Sequence, residues 1–163
     1  HSGEEPPDED DDNESTERGR EIGDAGIAKV MAYEKLQGRI NVAYLGQTHR
    51  GWDIDSEEIA TEGVNAILGK NIIRRIEVKS KSGKWDGWGV GLSNPEFEEA
   101  QKCGDDYYLY VVENALDAND HQPPYIIRNP AKIITSYRFD ENWKKISIQE
   151  EKDRDGESLS DQS

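Results

Sequence analysis

The sequence predicts a mixed α/β domain in which helices pack on a central sheet, and three observations predict it. Ile72 to Ser80 has the composition of a strand, and Asp106-Tyr107-Tyr108-Leu109-Tyr110-Val111-Val112 is apolar and aromatic almost throughout, as a strand buried on both faces requires. Between them, Ser93-Asn94-Pro95-Glu96 opens a helix in two compatible ways, a Ser93/Glu96 capping box and a proline at the first helical position. Upstream, Ile27, Val30 and Met31 recur at i, i+3 and i+4 within Arg20 to Gly38, giving a second helix that Gly38 is fitted to stop.

The remaining elements follow in order. Glu34 lies at i+7 from Ile27, on the apolar face of the first helix. Ile40 to Leu45 is a short β-prone run ended by Gly46. After the polar turn Gln47-Thr48-His49-Arg50, a second strand is expected around Gly51 to Asp55. Glu57 to Gly69 reads as a loop or a short helix. Beyond Ile72 to Ser80, a turn at Ser82-Gly83-Lys84 leads into a further extended segment, Trp85 to Leu92. The second helix closes at Gly104. A loop from Asn114 to Pro124 precedes Tyr125 to Ile127, and a last short strand is expected from Ile133 to Phe139. The order is α-β-β-β-β-α-β with a β-rich end, without repeats or heptads.

Length and charge bound the function. The 163 residues have room for one domain. His1 to Gly19 holds nine acids against Arg18 and no large apolar residue, and Glu150 to Ser163 holds six acids, two bases and Leu159. Neither stretch can bury enough surface to offset the entropy of ordering it, so residues 1–19 and 150–163 are expected to be disordered acidic tails around a domain at 20–149. The tails carry most of the net charge of −15, and the segment between them is near balance with 17 bases and 20 acids. An acidic total therefore does not exclude a nucleic-acid partner for the domain. Cys103 is the sole cysteine, which excludes a disulfide within the chain and suits a reducing, intracellular compartment, cytoplasm or nucleus. No apolar run approaches a membrane span.

The chemistry lies in Ile76-Glu77-Val78-Lys79. On a strand, Glu77 and Lys79 point to one face and Ile76 and Val78 to the other. Asp53 and Asp55 share a face for the same reason, and pairing of the two strands brings Asp53 and Glu77 together beside the Lys79 ammonium. Two carboxylates and a lysine are what metal-assisted phosphodiester hydrolysis uses. Asp53 and Glu77 are the expected ligands of Mg²⁺, or Mn²⁺, with the lysine expected to orient a water and offset developing charge. Against this stands an ordinary ion pair on a polar strand face. Lys70 to Lys84 holds six bases and one acid, so Arg50, Arg74, Arg75, Lys81 and Lys84 are candidates for a phosphate-binding rim. Trp85 and Trp88 are candidates for stacking on bases, or for sheet-edge packing. Gly87, Gly89 and Gly91 do not form a dinucleotide-binding turn, and the three histidines lack zinc-ligand spacing.

Several motifs together resemble the NO VEIN C-terminal domain family: Gly51-Trp52-Asp53-Ile54, Arg75-Ile76-Glu77-Val78-Lys79-Ser80, Glu98-Glu99-Ala100 through Gly104-Asp105, Tyr107 to Val112, and Asn129-Pro130. The resemblance covers roughly Arg20 to Ile134. It implies a restriction-endonuclease-like αβββαβ core of the PD-(D/E)xK superfamily, with Asp53, Glu77 and Lys79 as the catalytic set. It also implies a domain appended to helicases, ATPases or other large proteins of DNA defence and chromatin. Family members often carry a Glu early in the first helix, near Gly26, where this chain has Ile27; Glu34 is the carboxylate expected to point from that helix toward the site. The expected function is a Mg²⁺-dependent nuclease acting on DNA, with RNA open. The alternatives are a non-catalytic nucleic-acid-binding or targeting module of the same fold, and a protein-interaction domain.

Overall fold

The structure is a computed structural model that describes residues 17–134 with the exception of Trp88. Contacts divide the chain into His1–Ile133 and Ile134–Ser163. Most of the expected tails, the expected strand beyond Ile134, and Trp88 lie outside the described residues. The elements are α1 (Glu17–Leu36), β1 (Ile40–Tyr44), β2 (Ile54–Glu58), α2 (Gly63–Leu68), β3 (Ile72–Ser80), α3 (Asn94–Cys103), β4 (Tyr107–Val112) and β5 (Tyr125–Arg128). Two 3-10 turns, Gly104–Asp106 and Pro130–Lys132, flank β4 and follow β5.

The sheet has five strands in the order β1-β2-β3-β4-β5. β1, β2 and β3 are antiparallel neighbours, β4 runs parallel to β3, and β5 is antiparallel to β4. A parallel pair cannot be joined by a tight turn, and α3 makes that crossover. All six residues of β4 are buried, as the apolar run requires for an interior strand of a sheet covered on both faces.

β3 fixes which groups face which layer. Arg74, Ile76, Val78 and Ser80 point to the α1 side, and Arg75, Glu77 and Lys79 to the α3 side. α1 presents a strict i, i+4 stripe to the sheet, Ile22, Gly26, Val30 and Glu34, all buried. With Ile54, Ile76, Val78, Tyr108, Tyr110, Val112 and Ala115, Ile22 and Val30 of that stripe make the main core; Ile27 and Met31 pack at its margin. Gly26 is a contact point: a Cβ there would stand 1.7 Å from Ser80 Oγ, so only glycine lets α1 approach β3 this closely. The turn after α1 has Gly38 at φ +83, with Arg39 N–H bonded to the Glu34 carbonyl at 3.1 Å.

Three expectations are corrected. α1 begins at Glu17, so Glu17, Arg18 and Gly19 are helical and not part of a tail. The second strand starts at Ile54 and not near Gly51, because the Asp53 carboxylate, not a main-chain carbonyl, takes the Val78 N–H at 2.8 Å. No strand forms over Trp85 to Leu92 among its described residues. Its alternating glycines supply no side chains to pack, and Gly89 turns to φ +72. Three strands therefore precede α3, which gives αβββαβ apart from the short α2 and the added β5. The segment Glu57 to Gly69, expected as a loop or a short helix, does contain the short helix α2, but its first two residues, Glu57 and Glu58, belong to β2.

Candidate functional site

Asp53 enters the site from the residue before β2. Its N–H donates to the Ile76 carbonyl at 2.9 Å and its Oδ2 accepts from Val78 N–H. Both bonds tie it to β3, whose Glu77 is the residue next in register after the Ile54–Ile76 pair. Glu77 and Lys79 leave β3 on the same face two residues apart, with Lys79 Nζ 3.3 Å from Glu77 Oε1. From α3, Glu96 reaches the same ammonium at 2.8 Å. Asp53, Glu77, Lys79 and Glu96 line one open cleft of about 330 Å³, walled also by Gly19, Gly23, Tyr44, Gln47, His49, Arg50, Ser93 and Pro95.

The charges in this cleft are not balanced one to one. Glu77 is 5% exposed, and burial pushes its carboxyl well above the usual range. Lys79 pulls it down, but Asp53 and Glu96 push it further up, and it shares a hydrogen bond with Glu96. Glu96 goes the other way. Burial opposes its ionisation, yet the Lys79 ammonium and the Ser93 N–H hold it below the usual range. For Lys79, desolvation is outweighed by Glu77 and Glu96, so it stays protonated above the usual lysine range. The Tyr107 phenol beneath is raised by burial and by these same carboxylates, and its hydroxyl donates to the Gly51 carbonyl at 2.7 Å. A carboxylate whose charge is this costly gains most from a cation placed beside it.

The structure does not bring every expected residue here. Glu34 is fully buried on the α1 side of the sheet, opposite to Glu77 and Lys79. It accepts from Tyr110 and, at 3.1 Å, from Ser56, and it pairs with Arg39 at 3.5 Å and Arg74 at 3.6 Å. Arg74 is correspondingly no part of a phosphate rim. It is 5% exposed, donates to Tyr110, lies over the Tyr108 ring at 3.9 Å and also pairs with Glu58. Arg75 is on the Glu77 face, but it stacks over Trp52 at 5.0 Å and donates to Cys103 Sγ at 3.1 Å. Of the proposed rim only Arg50 lines the cleft, joined by His49 of the same turn. Lys84 is exposed and Lys81 half-buried in the β3–α3 loop. Trp85 packs edge-to-face on Tyr125, a sheet-edge contact, while its N–H is held by Glu113 at 2.8 Å.

Glu96 is the residue that reading the sequence as a capping box left out of the site. Its signal was present: Glu96 and Ala100 share one helical stripe, and that stripe faces the sheet.

A family model described as Protein NO VEIN, C-terminal, matches residues 22–127, from the second turn of α1 into β5. The chain belongs to the NO VEIN C-terminal family. The match contains Asp53, Glu77, Lys79 and Glu96, and every lining residue of the cleft except Gly19. No curated protein and no solved structure matches the chain. No helix among the described residues is long and apolar enough to cross a membrane.

Proposed function

We propose that this domain is a Mg²⁺-dependent nuclease of the PD-(D/E)xK type that hydrolyses phosphodiester bonds in DNA. The observation that carries the reading is the convergence of Asp53, Glu77 and Lys79 in one cleft, from the start of one strand and the same face of its neighbour. Asp53 and Glu77 fit a divalent cation that accepts few protein ligands. Mg²⁺ is commonly held by one or two carboxylates plus waters and substrate phosphate, and among the described residues no three His, Cys, Asp or Glu side chains group to hold a metal ion, which leaves this pair as the protein ligands. When bound, the ion supplies acidification of a water and neutralisation of phosphate charge.

The chain's own groups do the rest. Lys79 presents its ammonium at the cleft wall, where it can orient the attacking water and offset charge on the phosphate oxygens. Arg50 and His49 also line the cleft, and Arg50 supplies a cation there that can meet a phosphate of the strand. Tyr107 holds the Gly51 carbonyl and so fixes the entry to Asp53. By resemblance, a helicase or ATPase in the same protein or assembly delivers the nucleic acid.

The test is incubation with Mg²⁺ or Mn²⁺ and single- and double-stranded DNA and RNA. Cleavage of at least one DNA substrate that chelation abolishes is expected. Loss of cleavage in Asp53→Ala, Glu77→Ala and Lys79→Ala is expected with it. Full activity in any of the three overturns the assignment. DNA binding without cleavage on any substrate leaves the domain as a non-catalytic nucleic-acid-binding module.

A further inference from the structure

We infer that Glu96 is the positioning residue for Lys79: it anchors the ammonium from α3, leaving Glu77 to face the cation. This rests on the nuclease reading of the cleft and names a part that Asp53, Glu77 and Lys79 do not supply.

A lysine side chain has four rotatable bonds and a compact charge with no preferred fork geometry, so it acts at a fixed point only if something holds it. Two carboxylates are within reach. Glu96 takes the ammonium with both oxygens, at 2.8 and 3.3 Å, while Glu77 meets it at 3.3 Å. Glu77 cannot be the durable anchor, since a divalent cation held by Glu77 and Asp53 competes for the same carboxylate and repels the ammonium.

Glu96 is itself fixed. Its Oε1 accepts from the Ser93 N–H at 2.9 Å, its own N–H reaches Ser93 Oγ at 3.4 Å, and Pro95 sets the first turn. It sits in the first turn of a ten-residue helix, where the aligned peptide dipoles favour a carboxylate. It is also 9% exposed, so the pair with Lys79 is not lost to solvent as a surface pair would be. The capping box thus does two things with one side chain: it starts α3, and it places a negative charge against β3 at Lys79.

A capping role alone would predict loss of stability and nothing more, so the test needs a readout at Lys79 itself. Lysine ammonium protons held by carboxylates exchange slowly enough to give ¹H–¹⁵N signals, and the metal-free full chain is examined in this way. A Lys79 Nζ signal is expected in the wild type and in Glu77→Gln, and its loss is expected in Glu96→Ala. Glu96→Gln, which keeps the capping box, is the second variant in case Glu96→Ala does not fold; there the exchange should quicken about tenfold or more, as a neutral acceptor holds the ammonium less firmly.

Cleavage gives the second readout. Misplacement of one group by an ångström costs on the order of a hundredfold. In Glu96→Gln kcat should fall by roughly ten- to a hundredfold with KM within about twofold, because the anchor acts through Lys79 and not on substrate binding. Persistence of the Lys79 signal in Glu96→Ala, its loss in Glu77→Gln, or wild-type kcat in Glu96→Gln each overturns the inference. A wild type that shows the Lys79 signal but cleaves nothing refutes the nuclease reading instead, and the signal then still decides whether Glu96 is the anchor.

Discussion

Replacing Glu34 by alanine should destabilise the domain by about 3–5 kcal/mol, the cost typical of removing one partner of a buried ion pair. The magnitude follows from what is stranded. Arg74 is 5% exposed and would keep as its carboxylate partner only the half-exposed Glu58, at 3.5 Å, beside its hydrogen bond to Tyr110 and its stack on Tyr108. The hydroxyls of Ser56 and Tyr110 would lose the acceptor they now share. Each orphaned donor alone costs about 1–3 kcal/mol, though the terms do not add because all converge on one carboxylate. The double variant Glu34→Leu with Arg74→Met removes both charges and should recover most of the loss, since well-packed apolar groups commonly replace a buried pair at little cost. The assay is urea unfolding, read as a shift of midpoint at unchanged slope, with Mn²⁺ binding measured on whatever folds. Refutation is clear in either direction. A Glu34→Ala loss below about 1 kcal/mol would show that the pair is not structural, and unchanged stability with lost Mn²⁺ binding would return Glu34 to the cleft.

Three further predictions concern Gly26, Glu77 and Lys29. Gly26→Ala places a methyl 1.7 Å from Ser80 Oγ and 2.8 Å from its Cβ, and should cost about 1–3 kcal/mol by overpacking, largely relieved by Ser80→Gly; additive losses in the double variant would refute the contact. Glu77 carries a carboxyl raised in the folded state, so its contribution is complete below the ordinary carboxylate range and is lost as pH rises through the raised value. As pH rises above the ordinary carboxylate range, metal-free wild type should therefore lose more melting temperature than Glu77→Gln does, and parallel pH profiles would contradict this. Lys29 donates to three main-chain carbonyls of the β4–β5 loop, Asn114 at 3.1 Å, Asp117 at 2.7 Å and Asp120 at 3.1 Å. Lys29→Met should raise hydrogen exchange across residues 114–122 and leave β4 protected; an unaltered loop would show that the ammonium does not hold it.

Much of this was legible because local rules and global fold agree. The apolar run of β4, the capping box at Ser93 and the shared face of Glu77 and Lys79 each follow from one periodicity, and each is found. The parity that joins Glu77 to Lys79 also separates Arg74 from them, so the place of Arg74 on the α1 side was readable, and counting bases along the segment obscured it. Glu34 was not readable in the same way. Helical spacing shows that it faces a core, but which face of the sheet α1 covers is a property of the topology. The start of β2 was hidden because Asp53 replaces a main-chain acceptor with its side chain, which no propensity describes. Glu96 was seen only as a cap because the same atoms serve both the helix and Lys79.

Whether Asp53 and Glu77 close one divalent-metal site beside Lys79 is decided by calorimetric or paramagnetic titration of Mn²⁺ into the full chain. One saturable ion is expected in the wild type, with its loss in Asp53→Asn and in Glu77→Gln and its retention in Lys79→Ala, because an ammonium is not a ligand. Binding should tighten with rising pH, as Glu77 must release a proton to take the ion. Equal Mn²⁺ affinity in the wild type and in Glu77→Gln would contradict a site shared by the two carboxylates.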